Sequence, residues 1–443
     1  MIARVIYWAL LGFFVLEYVR PGAYVPGLDA LHLNSLVPLI GIIGTLALKS
    51  PVSNGEFLAE WNTKLMVTLL GLLCVSTLFA TVTLYAYDVT TVVFSYMLIY
   101  WMLVRQVGDI RRLKGVFATL VAAHIIIAAL NPAVFSPTDT RVGTNSGSFL
   151  GDGNDFSLSI NICIPLCLFL MAESKRKIFS LFWGAGLLAL VFCVIATQSR
   201  GGIIGLAAVG VYYWLKSPKK LQTAAAFVLV VAIVVANAPA SFFDRMRTIS
   251  DTEEGSTRGR IDAWKLGVQM AVGNPLLGVG AGHFPLGYGT LRAAQGTPGR
   301  WLTAHSIYFL VLGELGLPGI AVLLSLVFGN LVANRRLLRE VGQLPPDQAA
   351  TARNALAATS AAMMAFAVGG AFLSAAYYPH LYVLAGMLTA SRHIVRMQIR
   401  AREHAGDNAA LQSLPTRPAL RPGAISPEWR PRPAVAVGRG RLV

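Results

Sequence analysis

The sequence predicts an all-α polytopic membrane protein with about 12 transmembrane helices and one large outside loop carrying an amphipathic helix. Three observations predict it. Of 443 residues, 55% are hydrophobic and only 13% charged, with mean hydropathy +0.60, where a soluble domain carries roughly 25% charge. A chain so apolar would expose too much greasy surface in water, so lipid is the solvent for most of its length. Apolar stretches of about 20 residues, the length that crosses a bilayer, follow one another. Basic residues then cluster at every second connection between them.

The apolar runs lie at roughly 2–19, 30–48, 64–86, 89–104, 114–131, 154–172, 178–197, 201–215, 221–239, 302–333, 350–376 and 378–396. The first follows Arg4 without a small-residue cleavage site, which predicts a retained span. Basic clusters occur at Lys49 with Lys64, at Arg105 with Arg111, Arg112 and Lys114, and at Lys175 to Lys177. Two more follow at Lys216 with Lys219 and Lys220, and at Arg335, Arg336 and Arg339. Each separates an even-numbered run from the next odd one. All then lie on one side, the cytoplasmic one, and both termini with them.

The connections on the other side, 20–29, 132–153, 198–200 and 240–301, are richer in Gly, Pro, Asn and Asp. The loop 240–301 is long enough to build a site. Within it, Ile261, Trp264, Leu266, Val268 and Met270 alternate with Asp262, Lys265 and Gln269, which predicts a helix on or near the membrane. The domain reading is therefore a membrane domain, 1–397, followed by a Pro/Arg-rich tail, 398–443, expected to be disordered and cytoplasmic. No internal repeat of the inverted transporter kind is legible.

The net charge of +16 does not indicate a nucleic-acid partner, because the cations sit in short turns and in the tail, with no basic helix or aromatic platform. The cysteines Cys74, Cys163, Cys167 and Cys193 all fall in apolar runs, without His or carboxylate partners nearby in sequence. They read as small core- or lipid-facing residues rather than a disulfide or metal site.

Charge at a membrane boundary is costly, so chemistry is sought there first. In Gln198-Ser199-Arg200-Gly201-Gly202, Arg200 stands outside the cytoplasmic clusters. It is either a snorkelling interfacial Arg or a fixed cation, flanked by small residues that admit an anionic head group. In Ser256-Thr257-Arg258-Gly259-Arg260-Ile261-Asp262-Ala263-Trp264, Arg260 and Trp264 share a helix face. Arg260 either pairs with Asp262 or Glu254, or offers its planar fork to phosphate oxygens. The glycines of Asn274-Pro275-Leu276-Leu277-Gly278-Val279-Gly280-Ala281-Gly282-His283-Phe284 form GxGxG, not GxGxxG, and follow no strand. They predict a tight turn against the membrane surface rather than a nucleotide loop. At the outer start of the tenth run, His305 is either a capping histidine or a base, since an imidazole of ordinary pKa near 6.5 accepts a proton at neutral pH. The other histidines lack arginine company or face the cytoplasm. Two outside arginines and one outside histidine suit a pyrophosphate beside an acceptor hydroxyl. Arginines then take the place of a divalent cation, and no metal or other cofactor is expected.

These segments resemble the O-antigen ligase/polymerase superfamily of bacterial envelope proteins. The matching pieces are QSRGG (198–202), RIDAW (260–264), NPLLGVGAGHF (274–284) and TAHSIYFLVLGELGLPG (303–319), with GDGNDFSLSINICIPL (151–166) similar to a segment that opens a span in related ligases. The resemblance implies transfer of a glycan from an undecaprenyl-pyrophosphate carrier to an acceptor hydroxyl at the periplasmic face of the inner membrane. It implies His305 as the catalytic base and Arg200 and Arg260 as the pyrophosphate-binding arginines. Arg258, Arg141, Asn154, Asp155, Ser306 and Tyr308 are supporting residues at the same rim; Ser306 stands where family members often carry Asn. The acceptor is a glycan, a lipid A–core or a protein hydroxyl, with membrane lipids around it. A polymerase of the same superfamily needs the same donor chemistry and stays open beside the ligase. A transporter or flippase is the alternative of another class; it needs ionisable residues along the spans, where only Glu17 and Glu314 stand near boundaries.

Overall fold

The computed structural model describes residues 2–47, 50–132, 144, 149–237, 243, 255–296 and 301–412. Their regular structure is helical: α1 (Ile2–Phe14), α2 (Leu33–Ala47), α3 (Asn54–Ala59), α4 (Trp61–Phe79), α5 (Thr83–Gln106), α6 (Ile110–Leu130), α7 (Gly153–Ala172) and α8 (Lys177–Ala196). There follow α9 (Arg200–Lys216), α10 (Lys220–Asn237), α11 (Gly255–Gly273), α12 (Phe284–Ala294), α13 (Ile307–Leu324), α14 (Asn330–Glu340), α15 (Pro346–Gly370) and α16 (Pro379–Gln412). A π-turn, Val15–Val19, extends α1, and another, Ser325–Gly329, joins α13 to α14.

Eight of the described helical stretches are long and apolar enough to cross a membrane: Ile2–Val19, Leu28–Ala47, Trp61–Phe79, Thr83–Gln106, Ile110–Leu130, Gly153–Ala172, Lys177–Ala196 and Ile307–Gln343. The apolar runs 201–215, 221–239, 350–376 and 378–396 fall on helices α9, α10, α15 and α16. One boundary departs from the hydropathy pattern. The break between the third and fourth runs lies at Ala80–Val82, and Tyr87 and Asp88 are helical. The cause is tertiary: the Val82 N–H donates to His283 Nε2 at 3.0 Å, which captures the connection there.

Local chemistry sets several helix starts. Asp109 accepts the N–H groups of Arg111 and Arg112 at the start of α6, Asp152 that of Asn154 at α7, and Ser199 that of Gly202 at α9. Helix α7 is the central element, packed by α6, α8, α9 and α15. Close approach there uses small residues: a side chain on Gly202 would collide with Ser157, and one on Gly369 with Leu158.

A buried polar cluster ties α4, α14, α15 and α16. Arg392, 1% exposed, lies 3.3 Å from Glu60 and donates to Asn330 at 2.7 Å and Asn334 at 3.2 Å. Asn62 bonds Asn330 and Thr389, and Asn334 donates to Ser360. This ion pair joins residues 332 apart, so the local run of sequence around Arg392 does not announce it. The cysteines are free: Cys74 exposed, Cys163, Cys167 and Cys193 buried. The sequence shows no His near Cys163, yet the fold sets His124 Nδ1 3.3 Å from its sulfur.

The chain divides into two compact units, Met1–Ile399 and Arg400–Val443. Helix α16 continues to Gln412, into the stretch 398–443 that composition marks as a disordered tail, and the Pro-rich run starts at Pro415. Residues 413–443 lie outside the described residues, as do most of the loop 240–254 and Arg141.

Candidate active site

The supporting framework is one end of the bundle, where α7, α9 and α13 begin and α15 hands over to α16. The Ser199 hydroxyl, besides capping α9, donates to Asn154 Oδ1 at 2.8 Å, so the starts of α7 and α9 are fastened together. Arg200 is the first residue of α9. A guanidinium at a helix N-terminus adds to the positive end of the helix dipole, and both favour an anion there. The flanking glycines are closely packed. A Cβ on Gly201 would press on Phe372 at 3.3 Å, and one on Gly202 would meet Ser157 at 2.6 Å.

The connection 371–378 lies between this corner and the start of α13. Phe372 touches the Arg200 side, and two residues on Ser374 touches the histidine side. The Ser374 hydroxyl accepts the backbone N–H of His305 at 2.8 Å and the hydroxyl of Thr303 at 2.7 Å. His305 adopts φ 48, in the left-handed region. Ser306 follows with an extended backbone and starts α13 without a side-chain cap; its hydroxyl is buried without a hydrogen-bond partner.

Helix α11 supplies the third wall. It forms over the stretch where amphipathic alternation predicts a helix, but it is packed along α13 rather than only laid on a surface. Ala263, Leu266 and Met270 are buried, while Val268 is exposed. Trp264 stacks on Phe309 with centroids 5.2 Å apart and donates its indole N–H to the Ala304 carbonyl at 3.1 Å. Arg260, one turn earlier on the same face, acts electrostatically on His305. Burial pushes the His305 imidazole below its ordinary proton affinity, the Arg260 cation pushes it further, and the Asp152 carboxylate opposes both.

Arg260 and Asp152 thus act electrostatically on His305, while Asn154 and Ser199, the residue before Arg200, are bonded to each other at the starts of α7 and α9. Asp155 and Asp152 lie near Tyr378, whose hydroxyl is pushed up to about 12, chiefly by burial and then by these carboxylates. Arg258 is exposed on the first turns of α11. Tyr308 turns away, donating to the Ala367 carbonyl of α15 at 2.9 Å. Arg141 lies outside the described residues. Sequence reasoning passed over Ser374 and Asp152. Nothing around Ser374 signals its contact 69 residues away; Asp152 was findable as an Asp immediately before a helix start.

The Gly-rich turn is bonded into the body of the fold through its backbone. Val279 N–H donates to Gly313 O at 2.9 Å, Gly280 N–H to Glu314 O at 3.0 Å, and Ala281 N–H to the Ser76 hydroxyl at 2.7 Å. Glu314 accepts the Phe284 N–H at 2.9 Å and the Tyr377 hydroxyl at 2.8 Å. His283 accepts from Val82, which places its own proton on Nδ1, bonded to the Ala281 carbonyl. Beside this turn, α12 and the end of α4 enclose a cavity of about 620 Å³ lined by Phe79, Met270, Leu277 and Leu286. Among the described residues, no group of three or more His, Cys, Asp or Glu side chains is arranged so that it could hold a metal ion.

Residues 185–324 match the protein-family model described as O-antigen ligase. The matched stretch includes Arg200, Arg260 and His305; Asp152 and Ser374 lie beyond it. No curated protein matches the chain.

Proposed function

From the match of residues 185–324 to the O-antigen ligase family model, we propose an inner-membrane glycosyltransferase of the O-antigen ligase/polymerase superfamily. It takes a glycan from an undecaprenyl-pyrophosphate carrier and joins it to an acceptor hydroxyl at the periplasmic face. The observation that supports this reading is a half-buried His305 on which the Arg260 cation and the Asp152 carboxylate act electrostatically.

His305 removes the acceptor proton as the acceptor oxygen attacks the anomeric carbon. The bond from that carbon to the pyrophosphate oxygen breaks, and negative charge collects on the leaving group. Arg260 from α11 and Arg200 at the start of α9 hold that charge, with the α9 N-terminus adding its partial positive charge. An imidazole held below its ordinary proton affinity is unprotonated at neutral pH and ready to act as base. Asp152 then stabilises the imidazolium that forms. The eight long apolar stretches and helices α9, α10, α15 and α16 together make twelve spans in this reading, with 240–301 and the site outside and both termini in the cytoplasm. The acceptor fixes the choice of ligase over polymerase, and ligase is the reading adopted.

The test is an accumulation assay with His305→Ala, after confirming insertion. Finished product is expected to vanish while carrier-linked glycan builds up. Normal product from an inserted variant removes His305 from the chemistry. Arg200→Lys and Arg260→Lys keep charge but lose the fork, and weaker donor binding is expected from each.

A further inference from the structure

We propose that Ser374 is a positioning residue for His305, acting by clamping the peptide unit between Ala304 and His305. The inference rests on the reading of His305 as the base. Both polar ends of that peptide are held. Its carbonyl accepts the Trp264 indole N–H at 3.1 Å, and its N–H donates to the Ser374 hydroxyl at 2.8 Å. The two holders come from different elements, α11 and the 371–378 connection. Thr303, donating to the same Ser374 oxygen at 2.7 Å, orients the hydroxyl so that a lone pair meets the His305 N–H.

The clamp matters because of what it holds. His305 is left-handed at φ 48 and Ser306 extended at φ −163, immediately before α13 starts. Such a conformation persists in a non-glycine residue only where its surroundings over-determine it. A flip of the 304–305 peptide would relax φ and loosen the turn that carries the imidazole. The flip would also strand the carbonyl and the N–H, Ala304 being fully buried. Trp264 and Arg260 share one face of α11, so the helix that holds the donor charge also holds one end of the base-bearing peptide. Ser374 fixes the other end, which α11 does not reach.

The experiment compares Ser374→Ala, Ser374→Thr, Trp264→Phe and the Ser374→Ala/Trp264→Phe pair with His305→Ala, in detergent or nanodiscs with a lipid-linked glycan donor. Folded, inserted protein is quantified first. Ser374→Ala is expected to lower kcat at least tenfold with donor KM within about twofold, since the arginines are untouched. Ser374→Thr keeps the hydroxyl and is expected to recover most of kcat. Trp264→Phe keeps the ring on Phe309 and loses the N–H, giving the same kcat-type defect, and the pair is expected to lose less than the product of the two. Should Ser374→Ala fold poorly, Trp264→Phe and the threonine rescue carry the test. Wild-type kcat in folded Ser374→Ala, or a loss confined to KM or protein yield, overturns the clamp. An active His305→Ala overturns the base reading and the clamp with it; an inactive His305→Ala beside a wild-type Ser374→Ala overturns the clamp alone.

Discussion

His305 works against its own surroundings in a useful direction. Burial and the Arg260 cation disfavour its protonated form, and Asp152 favours it. A general base is active when unprotonated, so activity is lost as pH falls through the imidazole pKa. A lowered pKa puts the midpoint of that acid limb below the ordinary value of about 6.5. Each neighbour then has a sign. Arg260→Gln removes a cation that lowers the pKa, so the acid limb of kcat/KM moves to higher pH. Asp152→Asn keeps an oxygen to cap α7 and removes an anion that raises the pKa, so the limb moves to lower pH. A pH–rate profile of the three proteins checks both signs at once. Shifts in the same direction, or none, disconnect these groups from the base. The arginines and the histidine were legible in sequence because each breaks an expectation, a cation or an imidazole where lipid begins. Asp152 and Ser374 break none; their meaning comes only from what the fold sets beside them.

Helix α13 shows how an element can be built around a defect. Gly316 sits at φ 63, ψ −158, with Pro318 two residues on, and the helix bends there. The freed groups are taken up by the turn that precedes α12: Leu317 N–H donates to Pro275 O at 2.8 Å, and Gly313 and Glu314 carbonyls accept from Val279 and Gly280. Gly278, at φ 62, answers Gly316 from the other side of the seam. A glycine pattern alone reads as a turn, and that much was expected. That the turn enters a broken helix was not, since the two lie about 35 residues apart and neither hydropathy nor spacing pairs them. The expected consequence is specific. Gly316→Ala forces a side chain into a positive-φ, extended-ψ region that is essentially glycine-only, costing roughly 1–3 kcal/mol. It also sets its Cβ 2.4 Å from the Pro275 carbonyl oxygen, where backbone must move. Gly71→Ala, in α4 with no atom within 4 Å of the added carbon, is the control and should be neutral or stabilising by up to about 1 kcal/mol. Thermal unfolding in one detergent compares them: a Tm for Gly316→Ala equal to that of the control would show that the seam does not hold the two segments together.

At the scale of the molecule, two ends of the bundle have different chemistry. One gathers Lys114, Glu173, Thr351 and Asn354, where α6 and α15 start and α7 ends. Hydrogen bonds from these groups outweigh burial and hold the Glu173 carboxyl below its ordinary proton affinity. The other end gathers Asp152, Asn154, Ser199, Ser374 and His305. Hydropathy is a local property, so the helices could be read from sequence. Which ends meet is a property of pairing across the chain, and the only sequence signal that bears on it is the alternation of basic clusters. In the proposed topology that alternation assigns the Lys114 end, with Arg105 and Arg335, to the cytoplasm, because cations resist translocation. The same proposal assigns the His305 end to the outside, where a lipid-linked glycan donor would be met. The four cysteines give a clean background for testing this, as only Cys74 is exposed. In a Cys74→Ser protein, Gln295→Cys, exposed just after α12, should react with a membrane-impermeant maleimide in intact cells whose outer barrier has been permeabilised. Gln348→Cys, exposed on the first turn of α15, should react only after lysis. Labelling in the reverse order would invert the molecule and place His305 and both arginines on the side away from the proposed donor, which removes the proposed reaction whatever the site geometry.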